Sequence, residues 1–131
     1  MQTDTFKDKV VIVTGGASGI GRCIADEFRK QGAVVYVIDK QEGDHFVGDI
    51  ARQEVLEAFA AEVLGKHARV DVIVNNALPL MRGIDECSYE EFQYALSVGV
   101  TAPFYPPCAN NNVKIRIGAP CGVLLSLMLQ W

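Results

Sequence analysis

Apolar positions along the chain alternate between two textures. Val10-Val11-Ile12-Val13 and Val34-Val35-Tyr36-Val37-Ile38 are continuous, β-branched runs. That is the pattern of strands buried on both faces of a parallel sheet. Between them Ile20, Ile24 and Phe28 recur every four residues, which predicts a helix with one apolar face, ended at Gly32. The alternation repeats downstream. A short strand is predicted from His45 to Val47, then a helix from about Ala51 to Lys66 with Val55, Phe59 and Val63 on one face, then a strand from Val70 to Val74. Ser88-Tyr89-Glu90-Glu91 forms a capping box, and Phe92, Ala95, Leu96 and Gly99 behind it keep helical spacing. Strands alternating with helices predict an α/β fold, a doubly wound parallel sheet in three αβα layers.

The pattern changes after Tyr105. Four of the five prolines lie between Pro103 and Pro120, Asn110-Asn111-Asn112 sits among them, and no acidic residue follows Pro106. Consecutive prolines at Pro106 and Pro107 would break a helix there. Gly122-Val123-Leu124-Leu125 reads as the start of a fifth strand. The expectation is one domain over residues 1–131, with an incomplete sheet of about five strands and an atypical tail over 106–131.

Composition narrows the function classes. A chain of 131 residues, 50% hydrophobic, suffices for one domain with a core. Its net charge of -4 gives no broad basic footprint for nucleic acid. No apolar run approaches the roughly 20 residues of a membrane span, and Met1-Gln2-Thr3-Asp4-Thr5 lacks a secretory signal pattern. The four cysteines, Cys23, Cys87, Cys108 and Cys121, form no CxxC pair. They read as free thiols in a reducing, cytoplasmic setting. His45 and His67 have no ligand-spaced partner, so no metal site is expected.

The strongest signal is Thr14-Gly15-Gly16-Ala17-Ser18-Gly19-Ile20-Gly21, between the first predicted strand and the first helix. Glycines allow a tight turn and close approach of the main chain to a pyrophosphate. The helix N-terminus presents free N–H groups and a partial positive charge to the same anion. A glycine-rich turn without a ligand is the competing explanation.

This segment resembles the TGxxxGIG signature of the short-chain dehydrogenase/reductase family, and the resemblance runs from about Lys7 to Tyr105. It implies a Rossmann-type fold that binds nicotinamide adenine dinucleotide. Gly15, Ala17, Ser18, Gly19, Ile20 and Gly21 are then candidate cofactor-binding residues, with Ser18 and Ile20 against the phosphates and ribose. Asp39 ends the second predicted strand. A carboxylate there can accept from both adenosine ribose hydroxyls and repels a 2′-phosphate, which favours NAD over NADP. The adjacent Lys40 softens that repulsion, and an exposed Asp in a turn is the alternative. Asp49-Ile50 resembles the family's acidic-aliphatic pair at adenine, and Asp49 also reads as a helix N-cap. Asn75-Asn76-Ala77 resembles Asn-Asn-Ala-Gly, whose first Asn and Ala line the adenosine side in the family; Leu78 stands where the glycine is expected.

The resemblance implies hydride transfer between nicotinamide and a small-molecule alcohol or carbonyl, with a Tyr as acid or base and a Lys lowering its pKa, spaced YxxxK on a helix. Tyr36 and Lys40 have that spacing but lie on the predicted second strand, on the adenosine side. Tyr89, Tyr94 and Tyr105 have no Lys four residues on. Gly99 occupies the place of the family's relay Asn, and Ser126 is out of register for its catalytic Ser. No catalytic residue is therefore assigned. The tail suggests a truncated or frame-altered C-terminus. Three readings remain: an NAD-dependent oxidoreductase, an NAD-binding fragment or pseudoenzyme lacking the catalytic Tyr and Lys, and an interaction protein with a vestigial core. An uncovered sheet edge and the apolar segment Val123 to Leu129 predict self-association or marginal stability.

Overall fold

The computed structural model describes residues 5–79, 82–83, 85–104 and 115–117. Within them runs the order β1 (Val10–Thr14), α1 (Gly19–Lys30), β2 (Val34–Asp39), β3 (Phe46–Val47), α2 (Gln53–His67), β4 (Val72–Asn75), α3 (Tyr89–Leu96), a π-helical turn (Ser97–Thr101), α4 (Ala102–Phe104) and β5 (Ile115–Ile117). The strands form one sheet in the order β3-β2-β1-β4-β5. Every pairing is parallel. That is the doubly wound Rossmann order, and the strand order reverses between β1 and β4.

The unbroken apolar run of β1 has its reason in the sheet's two faces. Successive strand side chains point to opposite sides. Val10 and Ile12 join one cluster with Ile38, Phe59, Val63 and Val98, so this face is covered by α2 and the π-helical turn after α3. Val11 and Val13 join the other with Ala25, Val37, Val72 and Val74, against which Ile24 and Phe28 of α1 pack. The central strand therefore has no polar side to show. Helix α1 closes in a Schellman motif, the Ala33 N–H donating to Phe28 O and the Gly32 N–H to Arg29 O. Helix α3 opens on the expected capping box: Ser88 Oγ accepts from Glu91 N at 3.2 Å and Glu91 Oε2 accepts from Ser88 N at 2.8 Å.

Among the described residues Ile115–Ile117 pairs with β4, and the strand expected from Gly122 to Leu125 lies outside the described residues. Three residues with Arg116 in the middle carry too little apolar pattern to stand out in sequence. The rest of the 106–131 tail, with Ser126 and the apolar end, also lies outside the described residues. Asp49 is not the cap of α2: its Oδ1 accepts from Ala51 N at 2.9 Å in a turn of its own, and the N-cap is Arg52. Ile20, Phe92 and Leu96 keep helical spacing but are exposed, at 74%, 47% and 36%. The core side of the α3 region is Ala95 and Val98 instead.

One buried polar group ties the N-terminal edge of the sheet. Asp71 Oδ2 accepts from Val10 N at 2.8 Å and from Arg69 Nε at 3.1 Å. Burial works to raise its carboxyl pKa, but the Val10 N–H and the Arg69 guanidinium outweigh it and hold the carboxyl below its ordinary value. A depressed folded-state pKa contributes stability above the unfolded pKa and loses it as pH falls through the folded value. Asp71→Ala leaves the buried Val10 N–H unpartnered and is expected to cost about 1–3 kcal/mol at neutral pH. The deficit should shrink as the pH falls below the ordinary aspartate value of 3.8, where the unfolded chain takes up its proton, and on through the lower folded value. Urea denaturation of both chains at neutral and acid pH checks this; a pH-independent deficit would exclude the carboxylate charge as its source.

Candidate functional site

The chain leaves β1 and β4 in different directions at their C-terminal ends. The opening between them is held by a small set of hydrogen bonds. Thr14 Oγ1 accepts from Asn76 N at 3.1 Å and from Ala77 N at 3.0 Å. Asn76 Nδ2 donates to Thr14 O and Gly15 O, both at 3.1 Å. The glycine-rich loop after β1 is thus fastened to the end of β4. The fastening leaves no volume for side chains. Gly15 has φ of +67°, and a Cβ on it would lie 2.9 Å from Ala77 Cα. A Cβ on Gly21 would run into Gly15 O and Asn76 Nδ2. Gly15 is required by contact and by backbone angle, and Gly21 by contact, not by loop flexibility.

Around this clasp lies a cleft of about 520 Å³, the size of a small-molecule or cofactor site. Ten of the thirteen residues singled out in the sequence line it: Gly15, Ser18, Ile20, Gly21, Asp39, Lys40, Asp49, Ile50, Asn76 and Ala77. Ala17, Gly19 and Asn75 are not among the lining residues. Gly19 opens α1, Asn75 ends β4, and the Ala17 N–H donates to Asp39 Oδ2 at 3.0 Å. Ile38, Gln41, Gly48, Leu78, Pro79, Tyr94 and Val98 complete the lining. Two large apolar side chains of the cleft, Ile20 and Leu78, are 74% and 57% exposed. Exposed apolar surface gathered in a concavity is what a ligand covers.

Helix α1 points its N-terminus at this cleft. Its N-cap, Ser18, makes no side-chain cap bond, and its first turn has no acidic residue. Glycines at Gly19 and Gly21 keep side chains off that end, so first-turn N–H groups face the cleft with the positive end of the helix dipole.

Strand alternation sorts the charges. Asp39 ends β2 on the side of the glycine loop, where Oδ2 accepts from Ala17 N and Oδ1 from Gln41 N at 3.1 Å. The next residue, Lys40, points the other way. Its Nζ donates to Tyr94 Oη at 3.0 Å, and Tyr94 Oη donates to Asp49 Oδ2 at 2.8 Å. The hydrogen bond to the Tyr94 hydroxyl raises the Lys40 pKa above the ordinary lysine value, with smaller contributions from the Asp49 and Asp39 carboxylates. Tyr94 was not legible as a cleft residue: its sequence position shows a helical Tyr without a partner, and only the fold brings α3 over Asp49. Tyr36, four residues before Lys40, meets His67 Nε2 at 2.7 Å on α2. Four residues of strand span about 13 Å, so the Tyr36 and Lys40 side chains serve different neighbours. Among the described residues no cluster of His, Cys, Asp and Glu has metal-binding geometry. None of their helices is long and apolar enough to cross a membrane.

The family described as short chain dehydrogenase matches residues 9–108. Momilactone A synthase of Oryza sativa is 34% identical over 114 residues, covering 73% of this chain and 41% of its own. Sorbitol-6-phosphate 2-dehydrogenase of Klebsiella pneumoniae is 42% identical over 81 residues, covering 55% of this chain and 30% of its own. The structure of the 3-ketoacyl-(acyl-carrier-protein) reductase of Brucella melitensis complexed with NADH superposes with a TM-score of 0.67 at 28% identity, covering 75% of this chain and 46% of that one. The chain thus spans less than half the length of the relatives it matches.

One glycine of the clasp and one outside it should respond oppositely to the same substitution. Gly21→Ala must push Gly15 O or Asn76 Nδ2 aside and is expected to destabilise by about 1–3 kcal/mol. Gly65 lies in α2 with open space around the Cβ position, so Gly65→Ala should stabilise by about 0.5–1 kcal/mol. Denaturant midpoints of the two variants check both signs; a neutral Gly21→Ala would mean that the loop is not held as described.

Proposed function

The chain belongs to the short-chain dehydrogenase family, and we propose on that basis that its cleft binds NAD. In this reading it serves hydride transfer between nicotinamide and an alcohol or carbonyl. The observation that carries the reading is the clasped glycine loop: Gly15 and Gly21 admit no Cβ, while the uncapped start of α1 opens on the cleft beside them. Such an arrangement suits a pyrophosphate, which needs close main-chain approach and N–H donors. The Brucella melitensis relative, solved with NADH, supports the class of ligand.

The roles follow from position. Ser18, Ile20 and the N–H groups at Gly19 to Gly21 would hold the pyrophosphate. Asp39 would take the adenosine ribose. Each carboxylate oxygen there has one N–H donor, from Ala17 or Gln41, and a carboxylate has about four acceptor sites. Capacity for two ribose hydroxyls is left over. A ribose 2′-phosphate would instead meet a fixed negative charge, which supports NAD over NADP. Ile50, Val98 and the Asp49 carboxylate would receive adenine, and Asn76 and Ala77 would keep the loop and β4 in register beneath it. The nicotinamide supplies hydride chemistry when bound; this chain's described residues bind and orient the adenosine and phosphate portions. The substrate stays at the level of an alcohol or carbonyl, since the relatives' names range from sorbitol 6-phosphate to 3-ketoacyl-(acyl-carrier-protein) and momilactone A.

One observation favours a second reading, an NAD-binding unit that performs no chemistry by itself. Tyr36 and Lys40, the pair with catalytic spacing, are engaged with His67 and Tyr94, and Gly99 stands in the place of the relay Asn. Turnover on alcohols and ketones by this chain would reject it.

Calorimetric titration with NAD and NADP tests the main reading. NAD should bind with the lower dissociation constant. Asp39→Ala should weaken NAD by roughly tenfold or more, the loss expected for hydrogen bonds to a charged acceptor, and should narrow the gap to NADP. Failure of a cooperatively folded chain to bind either dinucleotide would reject the proposal.

A further inference from the structure

The hydrogen-bonded row Lys40–Tyr94–Asp49 crosses the cleft at its base-binding end, and nothing in nucleotide binding as described above requires it. Its geometry is specific. Lys40 Nζ lies 3.0 Å from Tyr94 Oη and 5.2 Å from the centre of the Tyr94 ring. The same hydroxyl donates to Asp49 Oδ2 at 2.8 Å. Tyr94 is thus an acceptor for the cation and a donor to the carboxylate. It joins the end of β2 to the turn before α2 from a position on α3.

Lys40 is the one basic side chain lining the cleft among the described residues. It follows Asp39 directly, so it is the cation nearest to whatever the Asp39 carboxylate meets. A phosphate on the adenosine ribose would be repelled by Asp39 and attracted by Lys40, and the balance depends on where the ammonium sits. Coulomb energy at a solvated surface falls off with distance and is screened beyond about 8–10 Å. Alternation along β2 already directs Asp39 to the glycine loop and Lys40 to α3. The Tyr94 hydroxyl then fixes the ammonium on the far side, facing Asp49.

We propose that Tyr94 is a positioning residue for cofactor selection: by holding Lys40 toward Asp49, it withholds the cleft's basic side chain from a ribose 2′-phosphate and so sharpens the preference for a dinucleotide with a free 2′-hydroxyl. The proposal rests on the reading of the cleft as a nicotinamide dinucleotide site. It differs from selection by Asp39 alone, because it makes a residue on α3 control a charge just after β2.

The test is calorimetric titration of NAD and NADP into the full chain, wild type, Tyr94→Phe, Lys40→Gln and the double variant, with thermal melting as the control for folding. Tyr94→Phe removes one oxygen and keeps the ring. It should lower the ratio of NADP to NAD dissociation constants about fivefold, the scale of one exposed charge pair gained. The gain should vanish in the double variant and shrink as salt is raised from low ionic strength, neither of which a packing change would produce. An unchanged ratio in Tyr94→Phe, as would result if Lys40 turned to pair directly with Asp49, overturns the proposal while NAD binding stands. A gain that survives Lys40→Gln overturns it as well. Binding of neither dinucleotide by the folded wild-type chain overturns this inference together with the reading beneath it.

Discussion

The bonds between Thr14 and Asn76 hold two diverging chain ends together, and the cleft exists because they do. In a parallel sheet the connections after neighbouring strands leave to opposite faces where the strand order reverses, and a gap opens at the strand ends. Left to itself the gap would expose main-chain groups of both strands. Here the Thr14 hydroxyl satisfies two N–H groups of the segment after β4, and the Asn76 amide satisfies two carbonyls of the segment after β1. The cross-connection draws the glycine loop so close to Ala77 that side chains are excluded at Gly15 and Gly21. The glycine pattern is therefore a consequence of the clasp, and the free helix N-terminus beside it is a consequence of the glycines.

The same architecture decides where charge can sit. A helix N-terminus attracts anions, yet the cleft carries Asp39 and Asp49. Both carboxylates are occupied by donors from the chain itself: Ala17 and Gln41 for Asp39, Ala51 and Tyr94 for Asp49. Fixed in this way they act as shaped acceptors and not as loose negative charge. A neutral polar ligand edge can still bond to them, whereas an additional anion near Asp39 meets its repulsion. Lys40, the cation that would relieve this, is turned aside.

Legibility in the sequence followed the strength of the local physics. The four strands β1 to β4 and the three helices α1 to α3 were readable because buried strands and one-faced helices leave different periods, and errors at their ends were of one to three residues, the largest at Gly99, which lies in the π-helical turn after α3. The glycine loop was readable because its requirement is steric and admits one residue type. What was not readable depended on neighbours distant in sequence. Ile20, Phe92 and Leu96 obey the helical repeat that in Ile24 and Phe28 means core, yet one faces the cleft and the others face outward. The strand Ile115–Ile117 is marked by its pairing with β4, since three residues around an arginine carry no period. Tyr94 became a cleft residue only through the turn that carries Asp49 beneath α3.

Tyr36 and Lys40 show why spacing has to be read together with its element. Four residues apart on a helix, a tyrosine and a lysine stand one above the other within reach of one reacting group. On an extended strand the same interval keeps both side chains on one face but separates them by about 13 Å. The structure uses both parts of that statement. Tyr36, Ile38 and Lys40 share the face covered by α2 and α3, which is why Tyr36 meets His67 and Lys40 meets Tyr94. Val35, Val37 and Asp39 share the other, which is why Asp39 meets the loop before α1. A single alternation thus builds the core under β2 and, carried one residue past its end, sends the acid and the base of the cleft to opposite sides. On the proposed reading, that separation leaves the Asp39 carboxylate toward the ribose and keeps the Lys40 ammonium from offsetting its charge there.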